Sequence, residues 1–272
     1  MGSKRLFWVA LITAGTLAGC DLGSGPGLDT ESVDAAVIAA DGAIEDLEMM
    51  HGPGLGRAGG VFPELVGGRP DCPKIQDIFL CDPIERDGVT YTRSITYYTA
   101  DGTAQDGYDE AATATIVYDI LVEGARGRDG WTASMFRSRS FVVTGLLDGE
   151  PTVSWSGTVK GSRSRSRHFD EGGDRTYTME SDGELIDIVV PFPREEGDWP
   201  LSGTILRTIT MDRDGEERTK EVSIEFNGTS QVPITVDGET MTVDLTQRFG
   251  GRHMQGGGRF GGRGTGAGSA GS

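Results

Sequence analysis

The sequence predicts a mainly β protein: an antiparallel up-and-down meander of about ten strands in a strongly curved sheet or barrel, with one N-terminal amphipathic helix. Three observations carry this prediction. Period-two alternation of β-forming residues recurs from residue 89 onward, most clearly where Val89, Tyr91, Arg93, Ile95 and Tyr97 alternate with Thr90, Thr92, Ser94, Thr96 and Tyr98. In the β region Asp-Gly occurs at 87, 101, 106, 129, 148, 182, 214 and 237, and this dipeptide suits the positive φ angles of tight hairpin turns. No helical pattern separates the alternating runs, which excludes a parallel α/β sheet.

Along the chain, Lys4 and Arg5 precede an apolar stretch over 6–16 that is too short to span a membrane as a helix. The stretch closes with Leu17-Ala18-Gly19-Cys20. These residues resemble the lipobox of bacterial lipoproteins. The resemblance covers residues 1–21 and implies cleavage before Cys20, diacylglycerol on its sulfur and N-acylation of the new terminus. Several acyl chains would make anchoring stable, since each buried methylene contributes about 0.8 kcal/mol. It further implies a place in the bacterial cell envelope, lipid-anchored to a membrane and facing the periplasm or the exterior. Asp21 is similar to an inner-membrane retention signal of enterobacterial lipoproteins, a rule that does not transfer between bacteria, so the membrane stays open.

Residues 1–19 are thus expected to be a lipoprotein signal peptide and 20–28 a flexible Gly/Ser/Pro linker. Residues 29–70 hold a helix followed by a Gly/Pro-rich loop. Asp29 or Thr30 can cap the helix, Val33, Val37, Ala40, Ile44 and Leu47 recur at intervals of three and four, and Asp34, Asp41, Glu45 and Glu48 form an acidic outer side. Gly42 within it costs up to about 1 kcal/mol, so packing must hold the helix, which is predicted to cover the sheet or a barrel mouth. The antiparallel β domain occupies 71–247, with alternating runs near 89–98, 112–123, 131–144, 151–160, 175–181, 184–190, 203–212, 217–226, 231–236 and 239–247. Residues 248–272, rich in Gly and Arg and free of acid, are predicted to be a disordered tail.

Composition limits the function classes. The chain has 43 glycines, a formal net charge of −17 and a pI near 4.5, which disfavours nucleic acid as a partner. Its acidity is concentrated: the segment from Cys20 to Gln247 carries 19 basic and 42 acidic residues, a net −23. A transmembrane β-barrel would need an apolar band with aromatic girdles, whereas both faces of several runs carry charge, as at Lys220-Glu221. Cysteine parity fits export: with Cys20 acylated, Cys72 and Cys81 remain as a disulfide pair, whose short loop is worth about 2–3 kcal/mol.

Candidate chemistry is sparse. His51, His168 and His253 fall in a loop, a basic segment and the tail, and no Gly-x-Ser-x-Gly elbow accompanies them, so no catalytic residue is nominated. The acidic loops around Asp101–Glu110 and Asp212–Glu217 lack full EF-hand spacing and read as hairpin turns, so neither metal nor cofactor is expected. The most unusual segment is Ser162-Arg163-Ser164-Arg165-Ser166-Arg167. In an extended chain it places Arg163, Arg165 and Arg167 on one face, with Arg137 and Arg139 spaced likewise in an earlier run. Such a face could bind phosphate, carboxylate or lipid headgroups; the plainer account gives those arginines acidic cross-strand partners.

The expected function is a non-enzymatic binding or structural module of the envelope. Its expected partners are the membrane, through the anchor, envelope proteins and anionic envelope polymers. The alternative is a lipocalin-like or lipoprotein-carrier-like binder of an apolar ligand, with Trp131, Trp155, Phe141, Val143 and Leu206 as wall residues that serve more simply as core.

Overall fold

A computed structural model describes residues 29–51, 72–86, 88–128, 131–147, 149–169, 173–193, 197–213 and 215–246. Signal peptide, Cys20, linker, Gly/Pro-rich loop and basic tail lie outside the described residues. The helix α1 spans Thr30–His51. Asp29 caps it, taking the Ser32 N–H on its carboxylate at 2.6 Å, and this bond holds the Asp29 carboxyl below its ordinary range. The buried face is an alanine ridge, Ala35, Ala36, Ala39, Ala40 and Ala43, continued by Ile44, Leu47 and Met50. The stripe expected through Val33 and Val37 lies at its edge, since both are only half-buried. Alanine methyls let the helix approach the sheet more closely than larger side chains would.

Among the described residues, twelve strands follow in one antiparallel sheet. Three short ones, β1 (Lys74–Ile75), β2 (Ile78–Leu80) and β3 (Ile84–Arg86), lie at one edge, where β2 and β3 both pair with β4 (Val89–Thr99). Then come the long strands β5 (Thr113–Arg128), β6 (Trp131–Thr144), β7 (Thr152–Phe169), β8 (Gly173–Pro191) and β9 (Ser202–Arg213). The other edge is β10 (Glu216–Glu225), β11 (Gln231–Val236) and β12 (Glu239–Asp244). Each strand from β4 on pairs with its sequence neighbour, as the meander prediction required. The barrel does not form: β12 ends the ladder without meeting β1 or β2, and the sheet is neither closed nor strongly curled. Closure was expected because the apolar face needs cover; α1 packs on that face instead, over β9, β10 and β11.

A second difference concerns Asp182-Gly183. Six other Asp-Gly pairs place a glycine at positive φ, among them Gly88 (76°), Gly215 (90°) and Gly238 (90°), whereas Asp182-Gly183 runs through the middle of β8 and joins the runs at 175–181 and 184–190 into one strand. Gly183 is required there by crowding. A Cβ would lie 2.9 Å from Val159 Cγ2 and from the Leu206 carbonyl oxygen.

Register assigns the faces. Through Tyr97, Ile116, Val143, Trp155, Ile188, Ile205, Ile224 and Ile234, every strand from β4 to β11 turns its buried apolar residues to the same side, where α1 packs. The opposite side carries Ser, Thr and most strand acids, among them Glu180, Asp182, Glu184, Glu217, Glu221 and Glu225.

Candidate functional site

The helix-bearing face of the sheet is not uniformly apolar. Basic residues stand in phase with its core positions: Arg137 and Arg139 continue the row of Phe141 and Val143 in β6, and Arg207 stands between Ile205 and Ile209 in β9. Lys220 and Arg218 extend the row of Val222 and Ile224 in β10. Arg163 and Arg165 extend that of Trp155 and Val159 in β7. A charge in the buried phase of a strand must find a partner or reach water.

Under α1 the partners are helix carboxylates. Asp46, fully buried, accepts from Arg139 Nε at 2.7 Å on one oxygen and from the Arg207 guanidinium on the other. Glu45 takes the Arg137 guanidinium and lies 3.6 Å from Arg139 Nη2. Arg207 passes between two glycines. A Cβ on Gly42 of the helix would stand 3.0 Å from its guanidinium carbon, and one on Gly183 of β8 would stand 3.1 Å from its Cγ. At the start of the helix, Glu31 pairs with Arg218. Lys220 reaches Asp29 at 3.8 Å, the Ser32 hydroxyl at 3.2 Å and Asp237, in the β11–β12 turn, at 3.0 Å. The hydrogen bond to Asp237 raises the Lys220 ammonium above its ordinary value, and nearby Asp29 and Glu31 add to it. Asp237 is lowered, first by the Glu221 N–H and then by Lys220.

Beyond the helix the same face continues and stays basic. Arg163 and Arg165 of β7 and Arg213 of β9 are exposed. Across the ladder, Arg163 stands between Met135 and Met179, and Arg165 between Ala133 and Tyr177. Arg167 is opposite Arg175 in register, though neither side chain is among those described. The structure thus brings the predicted arginines of β6 and β7 to one face, as period two required, but divides them. Arg137 and Arg139 are held by the helix, while Arg163 and Arg165 lie past it.

The remaining sequence candidates are placed as follows. Cys72 and Cys81 form the expected disulfide, which ties β2 to the segment before β1. Asp101 accepts from the Thr103 N–H and the Thr99 hydroxyl, and Asp212 from the Gly215 N–H, so both act as turn formers. His51 ends α1, His168 is in β7 opposite Asp174, and His253 lies outside the described residues. Phe141, Val143 and Trp155 are packed core, with the first and last in edge-to-face contact at 5.9 Å; Leu206 is on the other side of the sheet, and the Trp131 side chain is outside those described. These wall residues therefore do not surround one cavity.

The sequence reading placed Glu45 on the outer side of the helix and passed over Asp46 and Arg207. A signal for the latter pair exists: Asp46 falls inside the apolar stripe between Ile44 and Leu47, and Arg207 inside that of Ile205 and Ile209. Two charges of opposite sign, each in the buried phase of its own element, predict one another. No protein-family model, curated protein or solved structure matches this chain.

Proposed function

We propose that the protein is a lipid-anchored component of the bacterial cell envelope, held at Cys20 and facing the periplasm or the exterior, and that it works as a non-enzymatic binding module for anionic groups. The observation that carries the binding reading is the one-sided distribution of arginine, with Arg163 and Arg165 on the helix-bearing face past the end of its acidic cover. Guanidinium groups suit bidentate recognition of phosphate and carboxylate. The anchor reading rests on Leu17-Ala18-Gly19-Cys20, and the Cys72–Cys81 disulfide supports an oxidising compartment. The carrier reading stands second, because three of its wall candidates, Phe141, Val143 and Trp155, belong to the buried core and Leu206 is exposed on the other side of the sheet.

The test grows the full chain with an alkyne fatty acid. Incorporation that disappears in Cys20→Ala supports the anchor; labelling that persists in the variant, or is absent from both, overturns it.

A further inference from the structure

We infer that the arginine-bearing end of the sheet is the surface that faces the membrane, and that Arg163, Arg165 and Arg213 contact anionic lipid headgroups there. This rests on the anchor reading above and adds an orientation and a ligand to it.

The first argument is the position of the tether. Ion pairs fix the start of α1 over β10, through Glu31 with Arg218 and Asp29 with Lys220. Arg218 shares its rung of the ladder with Met211, Met179 and Arg163. Asp29 therefore enters the fold about three strand spacings, or ~14 Å, from Arg163. Nine peptide steps separate Cys20 from Asp29, and a chain of that length reaches at most about 30 Å. An acyl group on Cys20 consequently keeps this end of the sheet close to the headgroup layer.

Charge supplies the second argument. A body of net −23 is repelled by an anionic bilayer unless it turns a basic surface to it. The two sides of the sheet differ in balance of charge: beyond the helix one presents Arg163, Arg165 and Arg213 against Glu216 alone, and the other presents Glu180, Asp182 and Glu217 against Lys160. Only one orientation puts the arginines toward the lipid. The third argument is chemical. The arginines alternate across the ladder with half-buried Met135, Met179, Met211 and Tyr177, a mixture of cationic and soft apolar groups that suits the headgroup boundary. Each basic residue near an anionic surface strengthens partition about five-fold, so three favour the orientation that turns them to the lipid by about a hundred-fold.

The experiment uses the full acylated chain reconstituted into vesicles of phosphatidylcholine, with or without about a third phosphatidylglycerol. Flotation first reports the anchor. Phenylglyoxal modification of Arg163, Arg165 and Arg213 is then timed by peptide mass spectrometry, with acetylation of Lys160, on the opposite side of β7, as the internal reference. The expected result is at least three-fold slower arginine modification on the anionic vesicles and unchanged Lys160 acetylation. The protection should be lost in about 0.5 M NaCl, where the screening length is ~4 Å. A chain that fails to float on either vesicle overturns the anchor reading and this inference together. A chain that floats but is modified equally on both vesicles overturns the inference and leaves the anchor standing. Protection by added inorganic phosphate on zwitterionic vesicles, without protection by phosphatidylglycerol, assigns the face to a free anion and also overturns it.

Discussion

Replacing Asp46 by Asn tests the central claim about how the helix is held. The Asp46 side chain is 0% exposed, and its two arginine partners are 7% and 9% exposed. Asn keeps the volume and removes the charge, which leaves Arg207 with no carboxylate among the described residues and Arg139 with only Glu45 at 3.6 Å. Breaking a buried pair in this way costs about 3–5 kcal/mol, because the surviving charge stays desolvated. Against a total stability of roughly 5–15 kcal/mol this is a large fraction. For a domain of this size it corresponds to a fall in Tm of about 6–20 °C. Urea unfolding followed by far-ultraviolet circular dichroism should show the midpoint move with an unchanged slope. A second variant, Asp46→Leu with Arg139→Met and Arg207→Met, separates charge from packing: an apolar replacement of the whole cluster should recover most of the loss. A D46N protein within about 1 kcal/mol of the parent refutes the reasoning. So does a triple variant as unstable as the single one, because the loss would then be one of packing.

Gly42→Ala should gain nothing in the parent despite the ~1 kcal/mol helix preference for alanine, because the new methyl meets the Arg207 guanidinium at 3.0 Å. In an Arg207→Met background the same change should stabilise, and a double-mutant cycle by urea titration that shows no coupling contradicts the threading of Arg207. Burial pushes the Tyr97 hydroxyl up to about 12, so its neutral form is favoured in the fold; stability is complete below the free phenol's value near 10 and falls as pH rises from 10 towards 12. Tyr97→Phe should reduce that alkaline loss and cost under about 0.5 kcal/mol at neutral pH, since the hydroxyl has no hydrogen-bond partner among the described residues; a loss above 2 kcal/mol by chemical unfolding would show a missing bond. Replacing Cys72 and Cys81 by serine opens a loop with a sequence separation of 9 and should cost about 2–3 kcal/mol, read as a lower Tm matched by the reduced parent.

The meander was legible because its signal is local. Alternation identifies a strand within six residues, and an aspartate followed by glycine identifies a hairpin within two, so β4 to β12 could be read in order without knowing what they pack against. Asp182-Gly183 misled for the same reason. The dipeptide looks identical whether its glycine supplies a positive φ or clears space for Val159 and Arg207, and only the neighbouring strands decide which. Closure was not legible either, since one apolar face is compatible with a barrel, a sandwich or a covering helix. The choice depends on where α1 docks, and that is governed by Asp46, Arg139 and Arg207, residues 93 and 161 positions apart along the chain. Period two correctly gathered Arg137, Arg139, Arg163 and Arg165 on one face. It could not say which of them the helix would neutralise.

That division also bears on why the uncovered arginines are there at all. A helix of 22 residues is about 33 Å long and 10 Å wide, whereas eleven strands side by side extend over about 50 Å, so the end of the helix-bearing face with Arg163, Arg165 and Arg213 lies beyond α1 and is exposed. Residues past the helix must tolerate water, and long cationic side chains with apolar stems do so. Solvation alone, however, is served as well by mixed charge, which costs no repulsion. The rungs of Arg163 and Arg165 instead run through methionine, alanine, tyrosine and further arginine, and the first acid on either is Glu216, at β10. In a body with more than twice as many acids as bases, keeping acids off these rungs from β6 to β9 while placing them on the opposite side of β8 is a separation of sign that tolerance of water does not require. A surface that meets an opposite charge does require it.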